Sequence, residues 1–168
     1  MMKHWKGVFV LLAGLLMMAG SATGQAQEIV IGFSGPLSGP AAEYGQDCLY
    51  GIDMAVNEIN AAGGVNVKGK KYPLKFERLD DRADPTSAVN NARRLQNMKA
   101  VAVYNAVFTT IAAISKINEE QGSPFILMAY TSTPKVVQMG NKLLIGTTAP
   151  AFTVYIQVFT ELAMKKGW

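Results

Sequence analysis

Hydrophobic and polar positions alternate between two periods along this chain. Short apolar runs, read as strands, are followed by Gly-, Pro- or hydroxyl-rich turns and then by apolar residues three and four apart, the helical spacing. The first unit is the clearest: Ile29-Val30-Ile31 runs into Gly32-Phe33-Ser34-Gly35-Pro36-Leu37-Ser38-Gly39-Pro40. Leu49, Ile52, Val56 and Ile59 then mark one helix face, and Gly63-Gly64 stops that helix. Val65 to Lys71 reads as a solvent-exposed turn, and Tyr72 to Leu79 alternates as a second strand. Asp84 and Pro85 supply an N-cap and a first helical residue, with Ala88, Ala92 and Leu95 inward and Arg93-Arg94 outward. Ala100 to Tyr104 is a third strand, apolar throughout. Thr109 or Thr110 would cap a helix running to Gln121, with Ile111, Ile114 and Ile117 inward and Gly122 ending it. Phe125 to Met128 is a fourth strand, Leu143 to Ile145 a short fifth, and Pro150 starts a last helix through Lys166.

Strands alternating with helices at this spacing predict an α/β fold, a doubly wound parallel sheet with right-handed crossovers. Ligands in such sheets bind beyond the carboxyl ends of the strands. Four loops converge there: Ser34 to Tyr44, Asp80 to Asp84, Asn105 to Thr110, and Ala129 to Thr133.

The segment ahead of the first strand has a different character. Lys3 and Lys6 precede an uncharged apolar run, Val8 to Ala19, and the small residues Ser21 to Ala26 follow. Residues 1–26 therefore read as a cleaved export signal, since the run is short for a membrane span. No cysteine near the cleavage region offers a lipid attachment point, so a soluble, periplasmic protein is expected. Residues 27–168 then form one domain of ordinary size. Removal of the segment leaves 14 basic against 12 acidic residues and discards His4, the only histidine. A charge near +2 spread along the chain makes no case for nucleic acid.

That composition excludes much chemistry. Without histidine there is no Ser-His-Asp or Cys-His arrangement, and with Cys48 as the only cysteine there is no thiolate–imidazole zinc site. Gly32 to Pro36 lacks the final glycine of a nucleophile elbow, and the Gly35 to Pro40 turn lacks the Lys-Ser/Thr ending of a P-loop. No enzyme activity, cofactor or metal is expected. Asp80, Asp81 and Asp84 form one acidic cluster, a metal or phospho-acceptor pattern in one reading. In the other, Asp84 caps a helix while Asp80 and Asp81 bind loop N–H groups. The hydroxyls of Thr109, Thr110, Thr131, Ser132 and Thr133 could hold an anion such as a carboxylate, with Tyr44, Phe108 and Tyr130 walling a pocket.

In combination these residues resemble a known family. Ser34-Gly35-Pro36-Leu37-Ser38-Gly39-Pro40 with Tyr44-Gly45, Glu58 to Val65, Asp80-Asp81 with Asp84-Pro85, and Glu119 to Ile126 follow one another as in type 1 periplasmic solute-binding proteins. The nearest pattern is that of the leucine/isoleucine/valine-binding proteins of branched-chain amino acid ABC transporters. The resemblance implies a two-lobed protein that closes on its ligand by hinge motion and delivers it to membrane permease subunits, its only contact with the membrane. It also implies that residues 27–168 are an incomplete N-terminal lobe, with the second lobe absent, and that this chain alone binds weakly. Carried over by position, Tyr44 falls on the first-loop aromatic beside the ligand. The loop residue near the ligand carboxylate falls on Phe108 by counting back from Gly122, and on Thr109 by its chemistry. Tyr130 and Ser132 fall on the two positions that grip the α-carboxylate and α-amino group. Phe108 and Tyr130 stand where branched-chain binders carry small residues, so the ligand is left as an amino acid or a related small carboxylate or amide. Two other classes share parts of the pattern: a ligand-sensing domain of a receptor or regulator, and a receiver-like phospho-acceptor using Asp80 and Asp81.

Overall fold

The computed structural model describes residues 27–148 and 155–168. The proposed export signal and the expected start of the last helix at Pro150 lie outside the described residues.

The elements are β1 (Ile29–Gly35), α1 (Ala42–Ala61), β2 (Val65–Val67), β3 (Lys70–Tyr72), β4 (Leu74–Asp80) and α2 (Pro85–Asn97). They continue with β5 (Ala102–Asn105), α3 (Phe108–Ile114), β6 (Ile126–Ala129), a 3-10 helix (Pro134–Met139), β7 (Leu144–Gly146) and α4 (Ile156–Lys166). Five strands form one sheet in the order β4-β1-β5-β6-β7, all parallel. The expected doubly wound α/β sheet is the observed one.

Two cores fill its faces. Leu79, Ala88, Ala92, Leu95, Val103, Ile111, Ile114 and Leu127 join α2 and α3 to one face. Phe33, Val56 and Phe76 join α1 to the other, with Ile31, Leu49, Ile52 and Tyr104 partly buried around them. Alternation along β5 sends Val103 to the first core and Tyr104 to the second, as the strand period requires. The alanines of α2 are fully buried, which lets that helix lie close against the sheet.

Three local expectations are corrected. Val65 to Lys71 is an antiparallel hairpin of β2 and β3 rather than an irregular turn. Lys68 and Gly69 both take positive φ (51° and 85°), the pairing a two-residue hairpin turn needs. The helix after β5 stops at Ile114 instead of Gln121. Its N-cap is Val107, without a side-chain cap, because the Thr110 hydroxyl turns inward to Asn105 Oδ1 (2.7 Å) and the Val107 carbonyl (2.7 Å). Apart from these corrections, Pro134 opens the 3-10 helix after β6, which Gly140 closes at φ 68°.

Candidate functional site at the strand ends

Parallel pairing places the last residues of β1, β4, β5 and β6 on one edge. Gly35 stands opposite Asp80, and Asn105 opposite Ala129. All four predicted loops start there.

Beneath them lies a buried polar network. Asp81, Ser34, Asn105 and Thr110 are fully buried. Asp81 Oδ2 accepts from the Ser34 hydroxyl (3.0 Å) and Asn105 Nδ2 (3.1 Å), and Oδ1 accepts from the Ala83 N–H (2.9 Å). Asn105 Nδ2 also donates to the Ser34 carbonyl (2.6 Å), while its Oδ1 accepts from the Val107 N–H (3.0 Å). Three strand ends are thus tied together by groups that leave no buried side-chain polar atom unpaired among the described residues. Burial pushes the Asp81 carboxyl above its ordinary range, against the hydrogen bonds from Ala83, Ser34 and Asn105 that lower it.

The remaining acidic residues act on loops. Asp84 caps α2, its carboxylate accepting the Ser87 N–H (2.7 Å), which holds its carboxyl low. Asp80 accepts from the Leu37 and Arg82 N–H groups (each 2.9 Å) and from the Ser38 hydroxyl. Burial raises the Asp80 carboxyl, but these bonds outweigh it and hold it below the usual range. Among the described residues no three acidic, cysteine or histidine groups gather as a metal site. The structure therefore uses the acidic cluster for capping and loop N–H groups.

Above the network stand the predicted contact residues. Tyr44, in the first turn of α1, is 43% exposed, and its hydroxyl donates to the Ala106 carbonyl (3.2 Å). Its ring stacks on Tyr130 with centroids 6.4 Å apart, and Tyr130 stacks on Tyr104 at 6.1 Å. Burial, then the neighbouring Cys48 and Tyr130, push the Tyr44 pKa up to about 12, so the phenol stays a neutral donor. Ser132 and Thr109 are exposed, Ser132 in the loop after β6 and Thr109 in the first turn of α3, which follows the adjacent strand β5. Phe108 is half-buried and packs against the α2–α3 core. Of these neighbours, Phe108 is partly buried against the core and Thr109 is exposed. Cys48 is half-buried, and burial pushes its thiol up, away from thiolate nucleophilicity.

Sequence reasoning missed Asn105 and Ser34 as the framework of this edge. Their only signal was polarity at the end of an apolar run, which a solvated loop shows equally. A groove of about 650 Å³ also opens beside α1 on the sheet face, lined by Cys48, Ile52, Tyr104 and Met128, with Tyr44 and Tyr130 at one end.

The model of the family described as periplasmic binding protein matches residues 28–166. The Leu/Ile/Val-binding protein of Escherichia coli K12 is 36% identical over 140 residues, covering 82% of this chain and 36% of that protein. An amino acid binding protein of Pseudomonas aeruginosa is 36% identical over 138 residues, covering 80% and 35%. Among solved structures, the isoleucine complex of a branched-chain amino acid transporter substrate binding protein from Streptococcus pneumoniae aligns with TM-score 0.59 at 26% identity. That alignment covers 73% of this chain and 34% of the other. An extracellular ligand-binding receptor from Verminephrobacter eiseniae shares the fold, with TM-score 0.71 at 20% identity over 83% of this chain and 39% of that one. The chain spans about a third of the length of the curated relatives it matches.

Proposed function

The chain belongs to the periplasmic binding protein family, and from that premise we propose that it contributes one wall of a solute-binding site in an ABC import system. The solute is an amino acid or a related small carboxylate or amide. The observation that carries this reading is the arrangement on one sheet edge: Tyr44 and Tyr130 are stacked there, and Thr109 and Ser132 are exposed in the segments that follow β5 and β6. Tyrosine rings offer apolar body with a polar tip, and exposed hydroxyls just beyond the strand ends offer donors to a carboxylate.

In this reading Thr109 and Ser132 hold the charged end of the ligand and Tyr44 and Tyr130 flank its side chain. Phe108 backs Thr109 from the core. α3 has only seven residues, so the hydroxyls, more than a helix dipole, provide the anion contact. Residues 1–26 direct export to the periplasm, and transfer to permease subunits follows capture. Support for the transport role comes from relatives named as Leu/Ile/Val-binding and amino acid binding proteins.

Calorimetry of the chain against leucine, isoleucine, phenylalanine, glutamine and benzoate tests the proposal. Weak binding of at least one is expected from this chain, and Thr109→Ala and Ser132→Ala are each expected to weaken it by about 1–3 kcal/mol, the range for hydrogen bonds to a charged group. Unchanged affinity in both variants would move the site elsewhere.

A further inference from the structure

We infer that Asp80 is the positioning residue of this site, locking the first strand-end loop to the second and so fixing where Tyr44 stands. The inference rests on the binding reading above for its functional consequence.

The linkage runs through a short series of contacts. Asp80 is the last residue of β4, in register with Gly35 at the end of β1. Its Oδ1 accepts two backbone N–H groups from different loops, Leu37 in the first and Arg82 in the second, both at 2.9 Å. Oδ2 takes the hydroxyl of Ser38. The single oxygen Oδ1 therefore bridges the two loops, and a side chain without an acceptor there leaves both N–H groups without that partner.

Both loops have reason to need holding. Arg82 and Ala83 sit at φ 54° and 58° without being glycine, a conformation that persists only where the surroundings over-determine it. Asp80 on the Arg82 N–H and Asp81 on the Ala83 N–H do so. In the first loop, Gly39 takes φ 80°, and its carbonyl accepts the Ala42 N–H (3.1 Å) at the start of α1.

The first loop then bears directly on α1. A Cβ placed on Gly45 would lie 1.9 Å from the Pro36 carbonyl oxygen, so loop and helix backbone are in contact with no side chain between them. Gly45 follows Tyr44, whose hydroxyl reaches Ala106 in the third loop and whose ring stacks on Tyr130 in the fourth. A loop released from Asp80 takes the first turn of α1 with it and loosens the tyrosine pair. The ionisable groups around Asp80 are the Arg82 guanidinium, its Nε 3.7 Å from Oδ2, and the adjacent Asp81. From α2, Asn91 reaches the Asp80 carbonyl (3.0 Å) and carries no charge.

The test compares the wild-type chain, Asp80→Ala, Asp80→Asn, which keeps the Oδ1 acceptor, and the control Asp84→Ala, which removes the α2 cap from the same loop without touching the first loop. Leucine and the other four probes are titrated and followed by ¹⁵N NMR, with thermal midpoints recorded alongside. Asp80→Ala is expected to weaken binding at least tenfold, Asp80→Asn to restore most of it, and Asp84→Ala to keep wild-type affinity. Equal affinity in wild type and Asp80→Ala, or no recovery in Asp80→Asn, would overturn the inference. If the wild type binds none of the probes, the binding reading fails, and Asp80 is judged on the aromatic ¹H signals of Tyr44 and Tyr130 in the unliganded chain. Their displacement in Asp80→Ala but not in Asp80→Asn or Asp84→Ala supports the positioning role, and unmoved signals overturn it.

Discussion

At the scale of single residues, the strand-end edge is governed by where carboxylates point. Asp80 and Asp81 are neighbours in sequence, yet one reaches the surface loops and the other is fully buried beneath them. Their carboxyls consequently move in opposite directions, Asp80 lowered by hydrogen bonds and Asp81 raised by burial. The raised group has a defined consequence for stability. Because folding favours protonated Asp81, its contribution is complete below the ordinary value of 3.8 and is lost as pH rises through the elevated folded value. Chemical denaturation between acid and neutral pH should therefore show this fall in the wild type and its absence in Asp81→Asn. The same slope in both proteins would contradict the assignment. Sequence pattern could read these residues as N–H acceptors but could not assign partners. Ser34 and Asn105 lie 47 and 24 positions from Asp81, and only the sheet brings them together.

At the scale of elements, the long amphipathic segments were legible and the short ones were not. α1 and α2 were readable because each carries a glycine stop or an Asp-Pro start around an apolar stripe. α3 was over-extended because Ile117 continues the stripe, and Ile117 is indeed buried, but in turns beyond the helix end. The hairpin of β2 and β3 was missed because three-residue strands lack enough alternation to register. α1 also tests how loop and helix are fitted. Gly45 and Gly51 lie in the same helix, but a Cβ at Gly45 meets the Pro36 carbonyl at 1.9 Å, while at Gly51 nothing lies within 4 Å. Gly51→Ala should stabilise by up to about 1 kcal/mol through helix propensity alone. Gly45→Ala gains the same propensity and loses more to overlap with backbone, a net cost of about 1–3 kcal/mol. Thermal denaturation of the two variants checks this, and equal effects would contradict the close approach.

At the scale of the whole molecule, the two sheet faces differ. Among the described residues, the α2–α3 face has a core that includes Leu79, Leu95, Ile111, Leu127 and Val136, whereas the α1 face has Phe33, Val56 and Phe76 and an open apolar groove beside them. α4 likewise has no buried residue. The ligand-capable edge shares Tyr44 and Tyr130 with one end of that groove, while its polar network and its loops are built from β1, β4, β5 and β6 and the helices that follow them. Binding at that edge, rather than in the groove, is the central claim. The most direct measurement is residue-by-residue ¹⁵N NMR mapping of the chain titrated with the five small solutes named above. Shifts gathered at residues 37–44, 107–110 and 130–133 are the predicted result. No shift with any solute, or shifts confined to groove residues such as Ile52, Ala55 and Ile59, would contradict it.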